Sequence, residues 1–469
     1  MARIQRVYSK GIYHGLPVFP EELGGLTAIV AGSNGISGHH MLRVLCESPK
    51  RWTKIYSISR RPSSGTWPKH VKHISMDFLQ PPETLATQMK ERGVRKVDYV
   101  FFFAYIQPQP EQGKGIWAAA DKLVEVNTKL LRNFLEALEL LEIFPKRILL
   151  QLGAKYYGMH LGPSAIPQEE TDPRVKLEPN FYYPQEDYLR EFCQRHGIGW
   201  NTTRPCWIPG AVTDGAMNLV YPLAIYATVQ KHLGRPLEYP SDLAAWESNQ
   251  AMSSAQMNCY LSEWAVLTDA AKDQSFNASD DCAFTFGKFW PKLAERFSMP
   301  YTRPVIDSSV YKEYETPYDP PPRGFGPPAT IRFRFLLTDW AKTPEVQRAW
   351  EEIAEQHQLR HRKLRDIDRV FGFLDAALTS NITINFSTAK TKKLGFFGFV
   401  ESTDSIFQVL QDFVDLKMIP PLPQSCHSEP LTQPIHESRQ LASLPQPVSR
   451  QDRPRRLWGL FFPLRKRKI

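Results

Sequence analysis

Two adjacent tyrosines, Tyr182 and Tyr183, head the helix-forming segment "PNFYYPQEDYL". A tyrosine hydroxyl titrates near pH 10, so chemistry at neutral pH calls for a nearby cation that favours its phenolate character. No cation lies within the segment, and the residue four beyond Tyr183 is an acid, Asp187. A second chemical feature lies upstream in "GSNGISG", which spaces Gly32, Gly35 and Gly38 as G-x-x-G-x-x-G around Ile36. Glycines at that spacing permit a tight turn and let backbone amides approach a pyrophosphate, whose charge a following helix N-terminus stabilises. The pattern carries weight only if a strand precedes it and a helix follows.

The cofactor is selected at the end of the next strand, where an acid would bind the ribose hydroxyls of NAD. This chain has Ser59 followed by Arg60 and Arg61. Guanidinium groups there fit a 2′-phosphate, which favours NADP(H). Asp77, ending "HISMD", suits either an adenine contact or a turn cap, and Phe78, Pro205 and Ile208 complete the expected cofactor site. "QLGAKYYG" puts Lys155 after a further strand, at the carboxyl edge where open α/β sheets bind ligands.

The elements that must position these residues are legible from periodicity. "LTAIVAGSNGISGHHMLRVL" reads as strand, glycine turn and helix, and "KIYSISRRP", "KHISMDF", "VDYVFFFAY", "RILLQLGAK" and "GWNTTRPCWIPG" read as five more strands. Helical pattern such as "LVEVNTKLLRNFLEALELL" separates them, so the expected fold is α/β, a doubly wound parallel sheet of Rossmann type. Residues 1–25 read as an N-terminal arm, 26–212 as the NADP-binding domain and 213–419 as a mainly helical cap with some return to the sheet. "YETPYDPPPRGFGPP", residues 314–328, is expected to be neither helix nor strand, because proline removes backbone donors and fixes φ.

Composition narrows the class. The chain has 469 residues and a formal charge of +9. From Pro421 onward nine Lys or Arg face three acids, so most of the excess belongs to a Pro/Ser/Arg-rich tail, residues 420–469, expected to be disordered. A near-neutral body argues against a nucleic-acid groove. In that tail "RPRRLWGLFFPLRKRKI" is compatible with membrane contact but too short to span. Six cysteines stand apart without a C-x-x-C pair, which indicates neither zinc nor a disulfide framework. With no apolar block behind the N-terminal basic residues, a cytoplasmic location is expected; a homodimer is compatible with the sequence but not required by it.

"GSNGISG", "SRRP", "GAKYYG", "NFYYPQED", "TTRPCWIPG", "MNLVYPLAIYATVQKHLGRPLEYP", "AWES" and "LGFFGFVESTDS" occur in that order, and together they resemble the progesterone 5β-reductase and iridoid synthase family of atypical short-chain dehydrogenases. The resemblance covers roughly residues 25–420. It implies that the lysine comes from the motif after the fifth strand and the tyrosine from the second position of the "NFYY" pair, hence Lys155 and Tyr183, with Tyr182 as packing and Tyr156 and Tyr157 as pocket walls. It implies NADPH-dependent 1,4-reduction of an enone or enal, with the hydroxyl holding the enolate oxygen. Leu152 and Ala154 flank Gly153 where a hydroxyl would be usual, leaving the tyrosine as the sole donor. The alternatives are conventional carbonyl reduction and a non-catalytic NADP-binding sensor or scaffold.

Overall fold

The computed structural model describes residues 6–108, 120–215 and 217–423. The basic tail past Pro423 and the cysteine within it, Cys426, lie outside the described residues. The chain opens with an antiparallel pair, β1 (Val7–Lys10) and β2 (Tyr13–Pro17). This is more than the expected arm: Leu16 is fully buried, and His14 bridges to Phe399 near the end of the fold.

The sheet is built as the alternation of strands and helices requires. In chain order come β3 (Leu26–Ala31), α1 (Ile36–Cys46), β4 (Trp52–Ser59), β5 (Val71–Ser75), α2 (Pro82–Glu91), β6 (Tyr99–Phe102), α3 (Ala120–Leu140), β7 (Arg147–Gln151), α4 (Tyr182–His196) and β8 (Gly199–Pro205). The remainder runs α5 (Val220–His232), β9 (Leu237–Glu238), α6 (Leu243–Glu247), α7 (Ala255–Leu267), β10 (Gln274–Ala278), α8 (Phe286–Arg296), β11 (Tyr301–Thr302), β12 (Lys312–Glu315), β13 (Thr330–Phe333), α9 (Leu337–Ala341), α10 (Pro344–Gln356), α11 (Ile367–Thr379), α12 (Ala389–Lys393) and α13 (Ser402–Asp415). Seven strands form one sheet in the order β10-β8-β7-β6-β3-β4-β5, every neighbour pair parallel. Strand order therefore reverses between β3 and β6, and the crevice beyond their carboxyl ends is where such a sheet binds ligands.

Both faces of the sheet are covered, which is why the central strands β3, β6 and β7 are nearly continuous apolar runs, whereas β8 (GWNTTRP) buries polar side chains and the edge strand β5 (VKHIS) is largely exposed. In β3, Ile29 and Ala31 enter one core with α2, α3 and α4, while Ala28 and Val30 enter the other with α1 and α7. The seventh strand, β10 (QSFNA), lies within the segment expected to be a cap with some return to the sheet, but its single buried aromatic, Phe276, is too weak a pattern to locate it. Pairing of β12 with β13 also corrects the reading of residues 314–328: Tyr314 and Glu315 close a strand, and the proline-rich part is the loop that joins it to β13.

Candidate functional site

A cavity of about 670 Å³ runs along the carboxyl edge of the sheet from Arg60 and Arg61 at one end to Phe333 and Phe373 at the other. Its floor at the first end is the glycine turn between β3 and α1. Gly32 has φ +80°, and a Cβ there would stand 2.6 Å from the Ala104 amide nitrogen. At Gly38 a Cβ would stand 2.3 Å from the Gly32 carbonyl oxygen, so this glycine lets α1 pack down onto the turn. Gly35 differs: a Cβ would meet nothing closer than 3.5 Å. Two of the glycines are demanded by the fold, whereas the third leaves room on the cavity wall. Helix α1 begins beside that room with no side-chain cap and no acid in its first turn, which leaves its amide donors and positive dipole end to an anion.

A row of buried hydroxyls fixes the adjacent basic turn. Ser57 donates to Ser33, Ser33 and Ser59 share a bond of 2.9 Å, and Ser59 donates to the Arg61 carbonyl at 2.6 Å. Ser75 donates to the Arg60 carbonyl. Both arginines line the cavity. Asp214, on the loop after β8, bridges Arg61 at 2.8 Å and also pairs with Arg369 of α11. Asp77 lines the same end while one of its oxygens accepts the Leu79 amide, so a turn cap and a place on the cavity wall coexist. Ile36, Phe78, Pro205 and Ile208 are on the wall as well. The groove thus offers an amide cradle, two guanidinium groups and apolar walls, a donor set that fits a phosphorylated dinucleotide.

Lys155 projects from the short 3₁₀ turn Ala154–Tyr157 after β7 and lines the cavity. Surrounding protein desolvates the amine and holds its pKa well below the usual lysine value, with the Glu178 carboxylate opposing that fall. The tyrosine expectation needs correction. Tyr183 is absent from the cavity wall: its hydroxyl donates to the Tyr156 carbonyl at 2.8 Å and accepts the Val175 amide at 2.9 Å. Tyr182 is the member of the pair that lines the cavity. Helix phase explains the difference, since Tyr182 shares a stripe with Gln185, Leu189 and Phe192, all buried, whereas Tyr183 lies over Glu186, Asp187 and Arg190. That i, i+3, i+7 pattern is present in the sequence and is the signal that places Tyr182 on the buried face.

Gly153 makes the arrangement possible. A Cβ at this position would stand 2.5 Å from the Tyr182 hydroxyl, so the glycine clears space for the phenol beside Lys155's turn. Burial raises the pKa of Tyr182, which keeps it a protonated donor. Asn180 ties the two segments together, donating to the Lys155 carbonyl at 3.0 Å and accepting the Tyr182 amide at 3.1 Å. Leu152 and Ala154 are buried on the wall and offer no hydroxyl.

Tyr156 and Tyr157 are not pocket walls. They belong to a buried ionic cluster in which Glu186, fully buried, accepts from Arg174, Arg190 and Arg204, and the Arg204 guanidinium lies 3.4 Å over the Tyr156 ring. Residues that sequence reasoning missed come from distant segments: Tyr105, Met159, His160, Phe181, Phe333, Phe373. His160 is pushed down to about 3 by burial and by Lys155, so it is neutral at physiological pH. Among the described residues no cluster of His, Cys, Asp or Glu could hold a metal ion, and no helix is long and apolar enough to cross a membrane.

Comparison with known proteins agrees with this architecture. The description "PRISE-like Rossmann-fold domain" matches residues 28–312. An uncharacterized protein of Schizosaccharomyces pombe is 29% identical over 412 residues, covering 84% of this chain and 98% of its own. The 3-oxo-Delta(4,5)-steroid 5-beta-reductase of Arabidopsis thaliana is 29% identical over 406 residues, covering 84% and 93%, and the (S)-8-oxocitronellyl enol synthase of Catharanthus roseus is 27% identical over 403 residues, covering 84% and 92%. Among solved structures, the dTDP-glucose 4,6-dehydratase DesIV of Streptomyces venezuelae, with NAD and TYD bound, superposes with a TM-score of 0.52 at 13% identity, covering 83% of this chain and 97% of its own. WbmG of Bordetella bronchiseptica, in complex with NAD, gives 0.51 at 11% identity, covering 84% and 96%. Those two likenesses show the fold. With a family description spanning more than half of its length and the motif order seen in the sequence, the chain belongs to the PRISE-like Rossmann-fold family.

Proposed function

We propose that this protein is an NADPH-dependent reductase that adds hydride to the activated C=C bond of an enone or enal, with Tyr182 and Lys155 as its catalytic residues. The observation that carries the reading is that the phenol of Tyr182 and the amine of Lys155 line one cavity with the glycine turn and the Arg60–Arg61 pair. Gly32, Gly35, Ile36 and Gly38 would hold the pyrophosphate of NADP(H), Ser59, Arg60, Arg61 and Asp77 its adenosine end, and Phe78, Pro205 and Ile208 would pack along it. When bound, the cofactor supplies hydride from its nicotinamide ring.

Chemistry by the protein is then confined to the oxygen. As the β-carbon of an enone accepts hydride, negative charge collects on the carbonyl oxygen, and the site must stabilise it. Tyr182, kept protonated by burial, donates a hydrogen bond to that oxygen, and Lys155, on the same wall, strengthens the donor when its amine carries a proton. Leu152, Phe181, Phe333, Phe373 and Ile382 give the site apolar walls, which raises the worth of a hydrogen bond to the developing oxyanion. Carbon protonation can follow from solvent. Relatives named as a steroid 5-beta-reductase and as 8-oxocitronellyl enol synthases support a reductase reading.

Product analysis after incubation with NADPH and a panel of enones tests the reading. Saturated ketone is the expected product; allylic alcohol in its place would establish conventional carbonyl reduction, and cofactor binding without turnover across the panel would favour a sensor or scaffold.

A further inference from the structure

Helix α11 reaches both ends of the cavity. Arg369, Phe373 and Ala376, with Ser380 just past the helix end, all line the wall. Steps of four, three and four residues put them on one helical face, so α11 runs along the cavity with Arg369 at the cofactor end and Phe373 and Ser380 toward the substrate end. The helix advances about 15 Å over ten residues, enough to span from a nucleotide phosphate to the reacting region.

Arg369 meets there an acid that another cavity arginine also uses. Asp214 accepts from Arg61 through one carboxylate oxygen, at 2.8 Å, and from Arg369 through the other. The loop that carries Asp214 is tied to the chain just beyond the Arg60–Arg61 pair by a bond of 2.9 Å between the Thr213 and Ser64 hydroxyls. Asp368, the acid next to Arg369 on α11, pairs instead with Lys342. Among the described residues, the charged side chains on the wall at this end are Arg60, Arg61, Arg369, Asp77 and Asp214. Without Arg369, two guanidinium groups face two carboxylates and cancel; with it, one positive charge is left over. That excess matters to a phosphate monoester, which carries nearly two negative charges at neutral pH.

We propose that Arg369 is a further cofactor-binding residue: its guanidinium, seated beside Arg61 on Asp214, contacts the 2′-phosphate of NADP(H), so that this phosphate fixes α11 and with it the Phe373 end of the cavity. This inference rests on the reading of the cofactor as NADP(H). Five N–H donors let one guanidinium hold Asp214 and a phosphate oxygen together. Because Arg369 and Phe373 share a helix, order imposed at the phosphate extends to the wall beside the substrate, and a nucleotide lacking the 2′-phosphate does not impose it.

Two fragments that differ only in that phosphate, 2′,5′-ADP and 5′-AMP, test the contact without any substrate. Each is titrated calorimetrically into the full-length protein and into its Arg369→Ala and Arg369→Lys variants. Arg369→Ala is expected to bind 2′,5′-ADP about tenfold more weakly while 5′-AMP changes by less than about twofold, and Arg369→Lys to recover part of the loss. An unchanged ratio of the two affinities in Arg369→Ala overturns the proposal, because the Arg369–Asp214 pair is then only a strut. A wild type that binds both fragments alike counts against the NADP(H) reading itself, a result distinct from a wild type that prefers 2′,5′-ADP and a variant that prefers it as strongly. Hydrogen exchange read by mass spectrometry tests the link to α11. At saturation NADPH should slow exchange in residues 367–379 of the wild type more than NADH does, and Arg369→Ala should lose the difference; equal protection by the two nucleotides in the wild type overturns the link.

Discussion

The two ends of the cavity are built in opposite ways. At the cofactor end, the glycine turn, α1 and the Arg60–Arg61 pair come from one stretch of about thirty residues, and serine hydroxyls from neighbouring strands lock them to one another. At the substrate end the wall is assembled from Lys155, Tyr182, Phe333 and Phe373, residues spread from position 155 to position 373 and brought together only by the packing of α4, β13 and α11. A site made locally is written in a motif. A site made by packing is written in the phases of several elements at once, and an error of one residue in any of them turns a side chain away from the cavity.

Four substitutions sharpen that contrast, starting with the largest expected effect. Gly38→Ala forces a Cβ into the Gly32 carbonyl, a backbone clash that α1 can relieve only by lifting off the turn. Loss of NADPH binding and a destabilisation of about 3 kcal/mol are expected, measured by titration calorimetry and chemical denaturation. Gly153→Ala places the same methyl against the tip of a side chain instead, displacing the Tyr182 hydroxyl. Turnover should fall by about 10²–10³ with NADPH affinity little changed, the reverse division of effects.

Arg60→Ala acts at the cofactor end alone. A charge-assisted bond to a 2′-phosphate is worth about 1.5–3 kcal/mol, so NADPH should bind roughly 10- to 100-fold more weakly while NADH binding stays as it was. The smallest effect belongs to Asp214→Asn. Asp214 spans Arg61 and Arg369 on a loop whose Gly210 and Gly215 pack against Ile36 at the head of α1, and its ion pairs are half exposed. Freeing that loop should weaken both nucleotides by no more than about fivefold, and raised salt should mimic it in the wild type.

The same contrast explains what could be read from sequence. Strands β3, β4, β6 and β7 are legible because a sheet buried on both faces needs apolar runs, and the glycine turn is legible because strand, turn and helix follow one another directly. Strand β10 was not, having one large apolar side chain in five residues. The motif places Lys155 on the cavity wall, but it does not say which tyrosine joins it there: two tyrosines side by side satisfy a motif equally, and only the phase of α4 separates the one facing the sheet from the one facing the Arg174–Glu186 cluster. Tyr156 and Tyr157 were misplaced for a related reason, because nothing in "AKYYG" announces that Arg204, nearly fifty residues on, stacks over the first ring. The proline-rich insertion at 314–328 could be expected to shape the pocket, but which of its residues reach the wall could not be read, since proline content excludes helix without saying where a loop docks.

The central claim is that Tyr182, not its neighbour, is the hydroxyl that works with Lys155, and paired Tyr182→Phe and Tyr183→Phe variants test it most directly. NADPH-dependent enone reduction and urea denaturation would be measured on both. Tyr182→Phe is expected to lose turnover by about 10²–10³ with stability and NADPH binding intact. Tyr183→Phe, which gives up the bonds to Tyr156 and Val175, should lose about 1–2 kcal/mol of stability and keep its turnover. Full activity in Tyr182→Phe together with an inactive but stably folded Tyr183→Phe would contradict the account.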